Sequence, residues 1–325
     1  MGKIICAAKP GGPEVLELRE KILGNPGPNE VLIKQTKIGL NFLDVYQTSG
    51  LYPFPENDVF IPGNEAAGEV ISVGENVKDL KISDRVAYAM VVGSFAEERI
   101  IKADRLVKIP TTVSDEIAAA SMLQGMTVEY LVNRCISLNP GDKVLFHAAA
   151  GGVGLIAGQW LKYLGVESIG TVGTKDKIQL AKDAGYDYVI NYSEEDFVEA
   201  AMDFTKGKGV KVVYDSVGKD TYPNSLKVLE KYGLLVAFGQ SSGVVSDFKL
   251  SDLQLNGSLY AQRPTLGNYI QTRDELVEVS NNLFKMLENE KIKISINQYY
   301  DLENTKQAFI DLIERKTTGA SVIKV

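Results

Sequence analysis

Residues Lys143–Trp160 read KVLFHAAAGGVGLIAGQW: a short apolar run, a cluster of very small residues, then a second apolar run with helical spacing. A turn made of Ala149, Ala150, Gly151, Gly152 and Gly154 leaves its backbone open to something large, because almost no side chain stands in the way. Where such a turn opens a helix, unpaired N–H groups and the helix dipole together favour an anion. Residues 149–154, Ala-Ala-Gly-Gly-Val-Gly, keep the spacing of the dinucleotide-binding GxGxxG turn, with Ala149 in place of the first glycine. The bare string suits close strand–helix packing equally well, so its surroundings must decide.

Downstream, strand-like and helical segments alternate: SIGTVG, KDKIQLAKDAG, YDYVINY, EEDFVEAAMDFT, VKVVYDSVG, TYPNSLKVLEKYG and LLVAFGQ. Alternation of this kind means βαβ units, with a parallel sheet covered by helices on both faces. The small-residue turn follows the first strand of that series, which is where a dinucleotide's diphosphate belongs.

Upstream, to about Pro110, the chain has short extended runs (EVLIKQTKIGLN, AAGEVISVG, DRVAYAM, RLVKIP) broken by Gly, Pro and Asn. They predict a small β-barrel or sandwich. Between them LYPFPENDVFIP, Leu51–Pro62, holds three prolines and predicts an irregular loop bordering a site. SDEIAAASMLQGMTVEYLVNRC predicts a helical run capped by Ser114. Helices near Thr272–Glu290 and Glu303–Arg315 and a strand near Ala320–Val325 are expected at the end. The fold class is therefore α/β, and 325 residues exceed what one core usually serves.

A formal charge of −7 argues against a general nucleic-acid binder, whose phosphate contacts need an excess of Lys and Arg. No run approaches the ~20 apolar residues of a membrane span, and Met1–Cys6 lacks a signal peptide's apolar segment, so a cytoplasmic protein without membrane association is expected. Cys6 and Cys135 make no disulfide framework. One histidine and two scattered cysteines fall short of a catalytic or structural zinc set, and no metal is expected. His147, the lone histidine, reads as a strand-end residue filling space beside the turn.

The second strand tells which dinucleotide. NAD sites place Asp or Glu about twenty residues after the turn to hold the ribose 2′-hydroxyl. Here the strand ends Thr171-Val172-Gly173-Thr174, followed by Lys175, Asp176 and Lys177. The acid is missing, and Lys177 in a helix's first turn, with Tyr192 at the end of the third strand, suits a 2′-phosphate. The expected cofactor is NADPH.

These motifs together resemble the zinc-independent quinone oxidoreductases, the zeta-crystallin-like branch of the medium-chain dehydrogenase/reductase superfamily. The resemblance is carried by GGPEVL (Gly11–Leu16), IGLNFLDVYQTSGLYP (Ile38–Pro53), HAAAGGVGLIAGQW (His147–Trp160), GTVGT (Gly170–Thr174), VVYDSVGKDTY (Val212–Tyr222) and SLYAQRP (Ser258–Pro264). Zinc-containing relatives place a cysteine where this chain has Asn41, and a Gly-His-Glu where it has Gly63-Asn64-Glu65. The resemblance implies a GroES-like barrel from both chain ends (1–122 and 263–325), a Rossmann doubly wound sheet between them (123–262), and a homodimer formed mainly through the nucleotide domain.

By the same resemblance Asn41, Tyr46 and Tyr52 serve the nicotinamide and substrate, and Thr127 and Tyr130 contact the cofactor. Ala150, Gly151, Gly152, Val153, Gly173, Thr174, Lys177 and Tyr192 hold its phosphates and ribose. Ser216, Phe238, Gly239, Ser241, Arg263 and Pro264 follow on later strand ends, and Arg315 lies near the 2′-phosphate. The implied reaction moves reducing equivalents from NADPH to a quinone, whose oxygen Tyr52 or Tyr46 polarises. Two other readings stay open: reduction of α,β-unsaturated ketones or aldehydes, and single-stranded RNA binding, which the acidic balance keeps secondary.

Overall fold

The structure, a computed structural model, describes residues 2–54 and 59–325. Two compact units result: Met1–Met126 with Ile270–Glu288 and Ile294–Val325, and Thr127–Tyr269 with Asn289–Lys293.

In the first unit β1 (Gly2–Cys6) pairs antiparallel with β2 (Glu17–Lys21). The larger sheet contains β3 (Glu30–Leu40), β4 (Glu65–Val73), β5 (Arg85–Ala89), β6 (Glu98–Lys102) and β7 (Val107–Lys108). The eleven-residue β3 organises it, pairing with β4 along most of its length and with β6 over Glu30–Lys34. Along β3, buried Val31 and Ile33 alternate with less buried Leu32 and Lys34, as a strand with one face on the core requires. The core gathers Val31, Ile33, Ile38, Val70, Val86, Phe95 and Phe309. Helix α1 (Phe42–Thr48) follows β3 after Asn41, and α2 (Asp115–Ala119) precedes α3 (Met122–Asn133).

Ser114 caps α2 as expected, its hydroxyl accepting from Ile117 N at 3.2 Å. The helical run is nevertheless two helices, broken at Ala120–Ser121, and the break leaves Leu123 N–H at the first turn of α3 for an outside acceptor. In the proline-rich loop, Leu51–Phe54 and Val59–Pro62 form neither helix nor strand beyond a bridge at Phe60, and Pro55–Asp58 lie outside the described residues.

The second unit runs β8 (Lys143–Phe146), α4 (Gly152–Tyr163), β9 (Glu167–Val172), α5 (Asp176–Asp183), β10 (Tyr188–Asn191), α6 (Phe197–Phe204), β11 (Val210–Asp215), α7 (Tyr222–Lys227), β12 (Leu229–Ala237) and β13 (Tyr260–Gln262). The strands are parallel in the order β10-β9-β8-β11-β12-β13, the doubly wound Rossmann order with its switch point beside β8. Segment TYPNSLKVLEKYG is helical only to Lys227; β12 already begins at Leu229, with a register shift against β11 between Val210 and Val212. Tyr232, at a φ of 63°, sits in that irregularity, which the apolar pattern alone does not reveal.

This unit extends to Tyr269, past the expected end at 262, because Tyr269 stacks on Tyr130 at 4.5 Å and its hydroxyl accepts from Gln262. It begins at Thr127 rather than 123, since Leu123 and Gln124 bond to Glu65 and Asn41 of the first unit. The chain then returns to the first unit as β14 (Ile296–Asp301) and β15 (Ala320–Lys324), and β15 pairs antiparallel with the second half of β3. Chain end and chain start thus share one sheet.

Candidate functional site

In the second unit the chain leaves β8 through Ala148, held at a left-handed φ of 56°, and turns into α4 at Gly151. Ala149 is fully buried and its N–H donates to Thr171 O at 2.9 Å. The residue that replaces the first glycine has room because Gly170 on β9 lacks a side chain: a Cβ there would come within 2.7 Å of the Ala149 methyl. A Cβ on Gly154 would stand 2.3 Å from Ala148 O, so the turn closes only with glycine at that place. Gly158 and Tyr186 fix the helix to the sheet, with the Tyr186 hydroxyl donating to Gly154 O at 2.8 Å. Ala150 is buried, while Gly151, Gly152 and Val153 are half-buried at the helix's positive end.

Beside this turn β9 ends at Val172, followed by half-buried Gly173, exposed Thr174 and half-buried Lys177 in the first turn of α5. A Cβ on Gly173 would meet the Tyr192 hydroxyl at 2.7 Å, and Ser193 Oγ donates to Gly173 O at 2.7 Å. The structure therefore brings Gly173, Thr174, Lys177 and Tyr192 to adjacent strand ends. Ser216 follows β11; Phe238 and Gly239 follow β12. Gly239 lies against Ser216, Ser241 N donates to Ser216 O at 3.1 Å, and Phe238 packs on Phe146. After β13, Arg263 donates to Ala237 O at 2.7 Å and Pro264 is buried.

Thr127 is buried, and the Tyr130 ring stacks on Tyr269, with burial driving its hydroxyl pKa far above the ordinary value. Arg315 is exposed and belongs to the first unit, at a φ of 59° after the helix Thr305–Ile313.

In the first unit Asn41 stands between β3 and α1, and its N–H donates to Asp44 Oδ2 at 2.8 Å. Its side-chain amide donates to Glu65 Oε1 at 2.6 Å and accepts from Gln124 at 3.2 Å. Glu65 Oε2 accepts from Leu123 N at 2.6 Å, a carboxylate at the start of α3. Asn64 donates to Asp44 Oδ1 at 2.6 Å and to Gln47 Oε1 at 2.7 Å. Gly39 makes room for Glu65, since a Cβ would stand 2.3 Å from Oε1.

Burial pushes the Glu65 pKa up to about 8 and that of Asp44 up to about 7, against the pull of the amides that donate to them. Outside this network Tyr46 and Tyr52 lie with ring centroids 6.1 Å apart, Tyr52 being 36% exposed.

The sequence reading missed two sets of buried polar residues: Asp44 and Gln124 around Glu65, and Thr171, Asp215 and Ser225 around His147. Each residue is ordinary in its segment, and only the fold makes them neighbours. A zinc ion does not fit the first set. The side chains of Asn41 and Asn64 turn N–H groups toward Glu65, Asp44 and Gln47 where a metal would need lone pairs, and among the described residues no three or more His, Cys, Asp or Glu gather to hold a metal.

A GroES-like barrel unit with a Rossmann unit, small-residue turn and all, defines a medium-chain dehydrogenase/reductase. The family model described as zinc-binding dehydrogenase matches residues 152–282, and that of the alcohol dehydrogenase GroES-like domain matches residues 27–111. The chain is 48% identical over 318 residues to quinone oxidoreductase 1 of Escherichia coli K12, covering 97% of each, and 45% identical to a quinone oxidoreductase of Pseudomonas aeruginosa, covering 99% of each. The crystal structure of Escherichia coli quinone oxidoreductase complexed with NADPH matches it with a TM-score of 0.97 and 46% identity over the whole of both chains. The chain belongs to the quinone oxidoreductase family.

Proposed function

We propose that this protein is an NADPH-dependent quinone reductase that works without zinc. The observation that carries the reading is the Ala148–Gly154 turn at the start of α4, with Lys177 and Tyr192, not an acid, at the neighbouring strand ends. An acid there would repel a 2′-phosphate; a lysine attracts it. The cradle fits the cofactor, because a Cβ at Gly154 or Gly173 would collide with its neighbours and Gly151 and Gly152 carry nothing toward the approaching diphosphate.

When bound, NADPH supplies the reducing equivalents. The turn and Lys177 bind its phosphates, and Ser216, Phe238, Gly239, Ser241, Arg263 and Pro264 line the later strand ends. Thr127, Tyr130 and Arg315 are assigned to the cofactor by family resemblance alone. Asn41, held by Glu65 and Gln124, is assigned to the nicotinamide end by family resemblance. Tyr52, backed by Tyr46, donates a hydrogen bond to the quinone oxygen as negative charge develops there.

A homodimer suits the exposed edge strand β13, where Tyr260 is 63% exposed, and the neighbouring helix Leu250–Leu255, whose end leucines are 79% and 80% exposed. No helix among the described residues is long and apolar enough to cross a membrane, and the two free cysteines suit the reducing cytoplasm. The test is oxidation of NADPH, with NADH as control, against benzoquinone, naphthoquinone and enone acceptors. Quinone turnover with NADPH is expected; turnover with enones alone, or with NADH preferred, overturns the reading.

A further inference from the structure

His147 makes more of its position than filling space requires. It is fully buried directly after β8, with its backbone N–H donating to Tyr214 O at 3.0 Å. Its Nδ1 lies 2.8 Å from Thr171 Oγ, and its Nε2 lies 3.0 Å from Ser225 Oγ. Ser225 in turn reaches Asp215 Oδ2 at 3.0 Å. Asp215 also accepts from Val217 N at 2.8 Å and Gly218 N at 3.0 Å, with Thr221 Oγ within 2.9 Å of both its oxygens. The ring edge packs on Phe197.

The direction of this line follows from counting protons. Asp215 is an acceptor at every contact, so the single hydroxyl proton of Ser225 goes to it. Ser225 must then receive its second bond, which places a proton on His147 Nε2. A neutral ring leaves Nδ1 as an acceptor, and the Thr171 hydroxyl donates to it. Burial pushes the His147 pKa down, while Asp215, the charged group facing it, pulls the other way. The remaining faces are the hydroxyls of Thr171 and Ser225 and the Phe197 ring.

We propose that His147 is a positioning residue for the cofactor turn, and that the line Thr171–His147–Ser225–Asp215 locks three strand ends into the register that NADPH binding needs. The proposal rests on the NADPH reading above. His147 immediately precedes Ala148, whose left-handed backbone costs energy that its surroundings must offset. Thr171 stands just before Gly173, and Asp215 just before Ser216. Removing any link leaves a buried polar group without its partner, which loosens the next link as well.

The test uses the whole protein and NADPH itself. Ser225→Ala and Thr171→Val each delete one link and keep the imidazole's volume. Each is expected to raise the NADPH Kd about tenfold, with kcat at saturating NADPH changed by less than about twofold and circular dichroism unchanged. His147→Gln, which keeps a donor toward Ser225, should fall closer to wild type than His147→Leu. Folded Ser225→Ala and Thr171→Val proteins with the wild-type NADPH Kd overturn the proposal, because a space-filling ring predicts that result.

Should the variants not fold, the wild-type protein still decides. With one histidine in the chain, ¹⁵N-histidine NMR reads the ring directly. A proton on Nε2, none on Nδ1 and no titration between about pH 5 and 8 support the line; the opposite tautomer, or charging in that range, overturns it. Failure of the wild type to bind NADPH would instead sink the function reading, and the tautomer would still report on the line.

Discussion

The two units bury their carboxylates differently. In the Rossmann unit Asp215 receives two backbone N–H groups and two hydroxyls. In the barrel unit Glu65 and Asp44 each receive two donors, an amide side chain and a backbone N–H, and burial wins, pushing them up to about 8 and 7. Asp215 is thus an acceptor with four donors around which strand ends are set, whereas Glu65 and Asp44 have two donors each and burial pushes their pKa values up. The first arrangement suits a rigid cradle. The second holds Asn41 between an acid and Gln124, whose own Oε1 is buried without a protein partner.

The largest break to this contrast is in the cradle itself. Gly154→Val drives a side chain into Ala148 O and the Ala149 backbone. NADPH affinity, followed by fluorescence titration, should fall about 100-fold or more, roughly 3 kcal/mol. A wild-type Kd in this variant would mean that the turn does not carry the phosphates.

Next in size is the pH response of the barrel's acids. Both have folded pKa values above their unfolded ones, so the native state binds the extra protons. The stability these two groups contribute is then fully present below about pH 4, where they are protonated in both states, and is lost as pH rises through about 7 and 8. Glu65→Gln removes the larger share of that fall, on the order of 2 kcal/mol between pH 5 and 9. The glutamine is accommodated if the Asn41 and Gln124 amides turn over, which also gives Gln124 Oε1 a donor. Urea denaturation at the two pH values measures it; equal pH slopes for wild type and variant would refute the account of Glu65.

The cradle was legible in the sequence because it is made of backbone. A phosphate site needs absent side chains, and Gly151, Gly152 and Gly154 in a row announce absence locally. Missing acid and nearby cation at Gly173–Lys177 are likewise a matter of one short segment. Ala149 looked like a flaw in the motif, and its remedy, Gly170, sits on the next strand, where a one-dimensional reading does not look. The barrel's network was hidden for the same reason: Asn41, Glu65 and Gln124 are far apart in the chain and meet because α3 restarts after Ser121 and offers Leu123 N–H to Glu65. Regular alternation also overstated α7, since the bulge that opens β12 has no apolar period of its own.

Smaller effects sharpen the contrast between charge and hydroxyl. Lys177→Ala should weaken NADPH by about 1.5 to 3 kcal/mol, the worth of one charge-assisted bond, and leave NADH nearly untouched, as parallel titrations with the two cofactors will show. Equal losses for both would remove Lys177 from the 2′-phosphate. Smallest is Tyr52→Phe, which costs one hydrogen bond to an acceptor that is already electrophilic. A drop in kcat/KM of about tenfold at most across several quinones is expected, and no drop at all would reduce Tyr52 to packing against Tyr46.

The functional reading depends on a phosphorylated dinucleotide seating its diphosphate on the Ala148–Gly154 turn. Isothermal titration calorimetry of the purified, folded protein with NADPH and then NADH reads this most directly. The account predicts a single saturable NADPH site per chain and binding of NADH at least about tenfold weaker. No heat from NADPH, or equal affinity for the two, would contradict it.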